Sequence, residues 1–146
     1  MARAGAGKQH LWINARKRHR GVQHSGSQRQ RGQAGSSGLL LAARNIPQAL
    51  SWAASLKENV SAAVEKGKSQ FAGTEICGKT LGVVGLGAIG RKVAASASAL
   101  GMNILGFDPY FTGEIEDVKI YSTIEDMLPE CDYVTIHVPA TDSTKG

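Results

Sequence analysis

The chain has 146 residues, of which 42% are hydrophobic, and this is enough for one domain with a buried core. Its net charge of +5 is unevenly spread: residues 1–37 hold eight of the 17 Lys and Arg and none of the 12 Asp and Glu, so residues 38–146 carry a formal charge of −3. No apolar run is long enough to span a membrane, and no signal-peptide core follows Met1. The two cysteines and four scattered histidines predict neither a disulfide framework nor a metal site, so we expect a cytoplasmic protein without a membrane partner.

Residues 1–38 are predicted to be a disordered basic segment. Lys8 to Ser37 is rich in Arg, Gln, Gly and Ser, includes RKRHR at Arg16 to Arg20, and has no sustained helical or strand period. Such a composition cannot bury enough apolar surface to offset the entropy lost on ordering. The clustered Lys and Arg leave two alternatives open, a nucleic-acid-binding arm and an organelle transit peptide, although nucleic acid is not the partner we expect.

Residues 39–70 are predicted to be a helical region. Apolar side chains recur every three to four residues between Leu39 and Gly67, which predicts an amphipathic helix. Pro47 should bend or restart that helix, because proline lacks a backbone N–H and clashes with the preceding turn. Lys68 to Gly78 is then predicted to be a loop that leads into the next unit.

A glycine motif follows the first predicted strand of residues 71–146. Thr80 to Val84 is a short apolar run typical of a strand, and Gly85, Gly87 and Gly90 then form G-x-G-x-x-G. Apolar residues at helical spacing follow, up to Gly101, which predicts a helix that stops before this glycine.

The second predicted strand ends in an acid. Ile104 to Phe107 is apolar, and Asp108 follows it, 18 residues beyond Gly90. This is close to the spacing of about 20 residues expected for a carboxylate that binds a ribose 2′-OH. Glycines at such a turn let the backbone approach a pyrophosphate at a helix N-terminus. The motif therefore predicts a dinucleotide site, with NAD favoured over NADP because a carboxylate repels a 2′-phosphate.

The remaining elements predict a crossover back to the sheet. Val118 to Tyr121 should be a short strand, and Ser122-Thr123-Ile124-Glu125 fits a capping box for a helix over Thr123 to Leu128. Asp132 to Val138 should be another strand. The order β-α-β-β-α-β predicts an α/β fold, a partial Rossmann-like doubly wound parallel sheet. Strand ends carry the ligand in such sheets, so His137, Val138 and Pro139 should lie at the same edge as Asp108 and contribute to the cofactor site.

Three segments make the chain similar to a known family. GTEICGKTLGVVGLGAIGRKVA, LGMNILGFDPY and CDYVTIHVPATDSTKG resemble the D-isomer-specific 2-hydroxyacid dehydrogenases, and the likeness covers about Leu39 to Gly146. The resemblance implies an NAD-dependent oxidoreductase with a small-molecule substrate, whose full-length form is a homo-oligomer. It also implies that residues 39–70 connect domains and contribute to dimer contacts, and that residues 71–146 are the N-terminal part of the NAD-binding domain.

The same resemblance implies a set of cofactor-binding residues and no catalytic ones. Besides Asp108 and the motif glycines, Ala88 and Ile89 would line the pyrophosphate, and the Val138 backbone would lie near the cofactor. His137 is expected to be structural rather than a catalytic base. The catalytic Arg, Glu and His of the family would lie beyond Gly146, so residues 1–146 alone are expected to be inactive. An NAD-sensing module without catalysis, as in the co-repressor relatives of the family, remains an alternative.

The basic segment also departs from the family in a way that a displaced reading frame explains. The family motif V-F-N-T-P-G-A-N-A-N-A-V-K, read from the third base of its first codon, can encode V-Q-H-S-G-S-Q-R-Q-R-G-Q, which is Val22 to Gln33. V-N-N-I, displaced in the same way, can give Lys8 to Leu11. We therefore interpret residues 8 to about 37 as an out-of-frame translation, with the frame restored before Leu39.

Overall fold

The structure is a computed structural model that describes residues 11–14 and 27–139. In these residues it has five strands and five α-helices: β1 Leu11–Asn14, α1 Gln28–Ala43, α2 Ile46–Ser55, α3 Val60–Gly67, β2 Thr80–Val84, α4 Ala88–Ala99, β3 Asn103–Phe107, β4 Val118–Ile120, α5 Ile124–Met127 and β5 Tyr133–Ile136. Short 3₁₀ helices follow α3 at Lys68–Phe71 and α5 at Leu128–Glu130. None of the described helices has the length and apolar character needed to cross a membrane.

The strands form one sheet in the order β1-β5-β2-β3-β4, and every pair of neighbours is parallel. From β2 the chain moves to β3 and β4 on one side, and then crosses back to β5 on the other side of β2. Val84 at the end of β2 pairs with Phe107 of β3 and with Ile136 of β5. The strand order therefore reverses at the carboxyl end of β2, which is where open α/β sheets bind ligands. The predicted fold class and parallel order are confirmed.

Helices cover both faces of the sheet, because successive strand residues point to opposite sides. One face packs against α1 and α4, and its buried core comprises Leu39, Ala43, Ile76, Leu81, Val83, Leu86, Val93, Ala94, Ala97, Met102, Ile104 and Tyr133. The other face packs against α5 and its 3₁₀ extension, with Val84, Leu105, Met127, Cys131 and Val134 in the core.

Helix α1 corrects the prediction of disorder for residues 27–38. Ser27 caps the helix: its Oγ accepts a hydrogen bond from the Gln30 N–H at 3.4 Å, and the Gln30 side chain accepts one from the Ser27 N–H at 2.8 Å. Gly32 and Gly35 then lie against α4, so the helix is stabilised by tertiary packing rather than by an apolar stripe of its own. The strand Leu11–Asn14 was also missed, because four residues are too few to show a period. The prediction for residues 1–10 and 15–26 falls outside the described part.

The helical region after α1 breaks more often than predicted. A restart near Pro47 is confirmed, since α2 begins at Ile46 after Asn45, which has a left-handed φ of 51°. A second left-handed residue, Asn59 with φ 47°, separates α2 from α3 and was not foreseen. Neither α2 nor α3 contains a buried residue. The Trp52 and Phe71 rings have centroids 5.1 Å apart, so α2 packs against the 3₁₀ helix that follows α3.

Two local predictions need small corrections. The cap of α5 is Thr123 rather than Ser122, because the Thr123 Oγ1 accepts from the Asp126 N–H at 3.2 Å. The helix that follows the glycine motif ends where predicted, and Gly101 beyond it has φ +82°. Strand β5 ends at Ile136, so His137, Val138 and Pro139 lie just beyond it.

Candidate cofactor site

Gly85 begins a sharp turn at the end of β2. Its φ of +92° is in the region that L side chains rarely adopt, and a Cβ there would lie 3.0 Å from the backbone carbon and oxygen of His137. The Gly85 N–H donates to the Phe107 oxygen at 2.8 Å. The turn therefore lies between the carboxyl ends of β3 and β5, in close contact with both.

The other two motif glycines differ in what surrounds them. A Cβ on Gly87 would meet nothing within 4 Å, so this side of the turn is open to a ligand. A Cβ on Gly90 would lie 1.9 Å from the Gly85 oxygen. Gly90 therefore allows α4 to begin directly against the turn, whereas Gly87 leaves the space in front of it free.

The N-terminus of α4 faces this open space without a side-chain cap. Gly87 is the N-cap residue, and the first hydrogen bond within the helix runs from the Arg91 N–H to the Gly87 oxygen at 3.0 Å. The N–H groups of Ala88, Ile89 and Gly90 have no intrahelical acceptor, as at the start of any α-helix. These donors and the positive end of the helix dipole favour an anion.

Asp108 reaches two backbone segments. Its Oδ2 accepts from the Leu86 N–H at 2.8 Å, and its Oδ1 accepts from the Tyr110 N–H at 2.9 Å. Each oxygen of a carboxylate has a second lone pair, so both can still accept from a hydroxyl group. The acid thus lies beside the glycine turn, half-buried, with acceptor capacity left for a ribose diol.

His137 lies beneath the turn, on the side of the sheet that α1 and α4 cover. Its N–H donates to the Val84 oxygen at 2.8 Å, and its Nε2 is 2.9 Å from the Oγ1 of Thr135, which is 2% exposed. Burial lowers the pKa of His137 below its usual value, so the neutral imidazole is favoured at neutral pH. A Cβ on Gly35 of α1 would approach the His137 Cε1 to 3.4 Å. The His137 ring is therefore packed against Thr135 and α1.

The structure brings the predicted residues to one edge of the sheet, but Val138 and Pro139 differ in their exposure to solvent. Val138 Cγ1 would lie 3.2 Å from a Cβ on Gly85, so it is next to the turn, while Pro139 is exposed. Sequence reasoning missed Leu86, whose N–H meets Asp108, and Thr135, whose hydroxyl meets His137. Leu86 could have been noticed as the residue between two motif glycines, whereas nothing in the sequence distinguishes Thr135 from any other strand threonine.

An uncapped helix start, an open glycine turn and an acid with free acceptor capacity define a dinucleotide-binding domain of the Rossmann type. Residues 37–146 match the family described as D-isomer specific 2-hydroxyacid dehydrogenase, NAD binding domain. The chain belongs to this family, and NAD is the cofactor of its domain. The residues around the turn fit NAD, since they provide both the anion donors and the ribose acceptor that it requires.

Similar proteins agree with this assignment. The chain is 44% identical over 110 residues to D-3-phosphoglycerate dehydrogenase of Methanocaldococcus jannaschii, which covers 73% of this chain and 20% of that protein. It is 41% identical over 106 residues to the Bacillus subtilis enzyme of the same name, covering 70% and 18%. The chain thus spans about a fifth of the length of these relatives.

Solved structures share the fold. NAD-dependent formate dehydrogenase from Staphylococcus aureus, in complex with NAD, superimposes with a TM-score of 0.65 at 22% identity over 80% of this chain and 33% of that one. A glycerate dehydrogenase related protein from Thermoplasma acidophilum superimposes with a TM-score of 0.56 at 28% identity, over 82% and 37%.

Proposed function

We propose that this chain is the NAD-binding part of an oxidoreductase that acts on the CH–OH group of a D-2-hydroxy acid. The substrate we propose is D-3-phosphoglycerate, converted to 3-phosphohydroxypyruvate in serine biosynthesis. The observation that carries this choice is the 44% identity to a D-3-phosphoglycerate dehydrogenase over 110 residues. The likeness to a glycerate dehydrogenase related protein supports glyoxylate or hydroxypyruvate reduction as the competing activity.

In this proposal the glycine turn holds the dinucleotide. The N–H groups of Ala88, Ile89 and Gly90 would donate to the pyrophosphate, which reaches them because Gly87 has no side chain. Asp108 would accept from the adenosine ribose. The backbone at His137, Val138 and Pro139 would border the cofactor further along the edge. Bound NAD supplies the hydride acceptor for C2 of the hydroxy acid.

The resemblance assigns no catalytic residue to residues 1–146. The Arg that holds the substrate carboxylate and the His–Glu pair that handles the hydroxyl proton would come from outside this segment. His137 is a poor substitute, because its ring is packed against Thr135 and Gly35. We therefore propose that the 146-residue polypeptide binds NAD but does not turn over substrate, and NAD-dependent turnover by the purified chain would contradict this.

We also propose a homo-oligomer in the cytoplasm. Helix α2 has no charged side chain and no buried residue, and its Leu50 is 64% exposed. A solvated helix rarely has this composition, so a protein surface is a better partner for it than water. The assembly state can be measured by sedimentation of the purified chain, with Leu50→Glu as the variant that should shift it toward the monomer.

Cofactor binding is tested by titrating the full 146-residue chain with NAD and NADP in a calorimeter. NAD should bind at least about tenfold more tightly than NADP, since the Asp108 carboxylate would face the 2′-phosphate. Equal affinity, or no binding of either, would contradict the proposal.

Sequencing the source DNA around codons 1–38 and beyond codon 146 tests the frame interpretation and the place of the catalytic residues. If a displaced frame spells the family motif, the basic segment needs no function of its own.

Substrate choice needs the protein encoded by the complete reading frame. D-3-phosphoglycerate with NAD should give a higher kcat/KM than glycerate, and 3-phosphohydroxypyruvate with NADH should give a higher one than glyoxylate or hydroxypyruvate. The opposite ranking would favour the reductase alternative. An intact site that binds NAD without turnover of any of these acids would favour the NAD-sensing alternative.

A further inference from the structure

Leu86, the residue between the first two motif glycines, is anchored to β3 by its side chain and by its backbone. Its side chain is 2% exposed and covers Gly106, where a Cβ would lie 3.0 Å and 3.1 Å from the two Leu86 methyl carbons. Its N–H donates to Asp108 Oδ2 at 2.8 Å. The preceding Gly85 N–H donates to the Phe107 oxygen. The turn is therefore attached to the end of β3 before any ligand is considered.

The second oxygen of Asp108 holds the loop that follows β3. Its bond to the Tyr110 N–H fixes the direction in which the chain leaves the strand, although the Tyr110 side chain is 92% exposed. One carboxylate thus joins two loops, and each of its oxygens serves a different one. An amide side chain could not replace it, since Asn has one acceptor oxygen and would present its NH₂ to the second donor.

We propose that Asp108 is a positioning residue for the glycine turn, in addition to its proposed contact with the ribose. The carboxylate holds the Leu86 N–H, and through it the Gly85–Gly87 segment, in the shape that receives a pyrophosphate. Binding of the phosphate groups therefore depends on Asp108 even when the ligand has no ribose. The ligand half of this inference rests on the proposed function, whereas the structural half does not.

A carboxylate at the opposite edge of the sheet provides a matched control. Asp132 Oδ2 accepts from the Thr80 N–H at 2.9 Å, and the Asp132 N–H donates to the Thr80 oxygen at 2.9 Å. This side chain satisfies a single donor, so Asn can replace it, and it lies at the amino end of β2, far from the turn. Asp132→Ala removes a comparable bond and a comparable charge without touching the proposed site.

The experiment compares Asp108→Ala with Asp132→Ala in the full 146-residue chain, using inorganic pyrophosphate as the ligand. Loss of a negative charge beside an anion site should by itself tighten pyrophosphate binding. Loss of the turn geometry should weaken it instead. We expect Asp108→Ala to weaken pyrophosphate binding about tenfold and Asp132→Ala to leave it within twofold. Unchanged or tighter binding by Asp108→Ala would overturn the proposal and leave the residue with a ribose contact alone.

Hydrogen exchange of single amides tests the structural half without any ligand. In the unsubstituted chain both the Leu86 and Tyr110 N–H groups should exchange at least about tenfold more slowly than in an unstructured peptide. Asp108→Ala should release both, and the milder Asp108→Asn should release at least one, while Asp132→Asn should leave the Thr80 N–H protected. Unprotected Leu86 and Tyr110 amides in the unsubstituted chain would refute the positioning role of Asp108 even if no variant folded. If no ligand binds but both amides are protected, the positioning role stands and the proposed function fails.

Discussion

The amino edge of the sheet, where its parallel strands begin, and the carboxyl edge, where they end, each have an aspartate that accepts backbone N–H groups. At the amino edge, Asp132 accepts one N–H at the start of β2, and the bond is reciprocated by the backbone. At the carboxyl edge, Asp108 accepts two N–H groups from two loops, next to a helix start with no side-chain cap. The first arrangement only sets the alignment of β5 with β2. In the second arrangement, the N–H groups at the start of α4 and the remaining lone pairs of Asp108 face an open space, where a ligand can bind them.

Glycines sharpen the same contrast. At the carboxyl edge Gly90 abuts the Gly85 oxygen, whereas at the amino edge Gly78, with φ +72°, has nothing within 4 Å of a Cβ. Gly90 is therefore required because the Gly85 oxygen leaves no room for a side chain, whereas Gly78 is required by its own left-handed backbone conformation. Substituting each by Ala separates the two causes, and the expected losses of stability differ in size.

The largest loss is expected for Gly90→Ala. Because the new methyl group would overlap a carbonyl oxygen at 1.9 Å, α4 must move away from the turn, and we expect the free energy of unfolding to fall by about 3 kcal/mol or more. Urea denaturation followed by circular dichroism measures this. Gly87→Ala is the matched control, with an expected loss of under about 1 kcal/mol. Equal losses at the two positions would contradict the packing role of Gly90.

The next two predictions concern the thiols of Cys77 and Cys131 at the amino edge, and the first is the pH dependence of stability that Cys131 causes. Burial raises the pKa of Cys131 to about 11, and its Sγ donates to the Met127 oxygen at 3.3 Å. Since the folded-state pKa lies above the unfolded value near 9.0, stability should be fully present below pH 9 and fall as the pH rises toward 11, by up to about 2 kcal/mol. Denaturation at pH 7, 9 and 10.5 measures the slope, and Cys131→Ala should abolish it.

The same thiols should differ in reactivity toward a maleimide. Cys77 is exposed and should react within minutes at pH 7.5, whereas buried Cys131 should react only after unfolding, because the thiolate is the nucleophile. Mass spectrometry of the native and the urea-unfolded chain counts the adducts. Two adducts on the native chain would show that the face around α5 opens readily.

Gly87→Ala should also weaken NAD binding, by about tenfold or about 1.4 kcal/mol. The added methyl group would occupy the space where the pyrophosphate approaches the backbone, and it meets no protein atom. Calorimetry with NAD measures the change, and Asp132→Asn should bind as the unsubstituted chain does. If Gly87→Ala bound NAD normally, the open side of the turn would not be the phosphate site.

A smaller loss of stability than that of Gly90→Ala is expected for Gly78→Ala. The methyl group meets no atom, so only the left-handed conformation is penalised, and the loss should be about 1–2 kcal/mol. Gly78→Asn should lose less, because Asn tolerates this conformation better than Ala. A loss as large as that of Gly90→Ala would show that the amino edge is more tightly packed than its surroundings indicate.

Helix α1 shows where sequence reasoning reached its limit. Gln28–Ala43 contains Gly32, Gly35 and few apolar residues before Leu39, so no helical period predicts it. It is helical because the Ser27–Gln30 capping box starts it and because its glycines allow close contact with Lys92 and Val93 of α4. The capping box could have been found in the sequence, but the contact with α4 could not, since it joins residues about 60 positions apart.

The sequence by itself determined the glycine turn, the helix after it, the order of β2 to β5 and the place of Asp108 at a strand end, because each follows from local spacing and from what glycine and carboxylate can do. Only the tertiary structure decided that α1 is ordered, that β1 joins the sheet, and that Asp108 meets Leu86 across 22 residues of chain. These outcomes depend on contacts between distant segments. Local periodicity carries no information about such contacts, because the free energy that orders them is gained only when the partners meet.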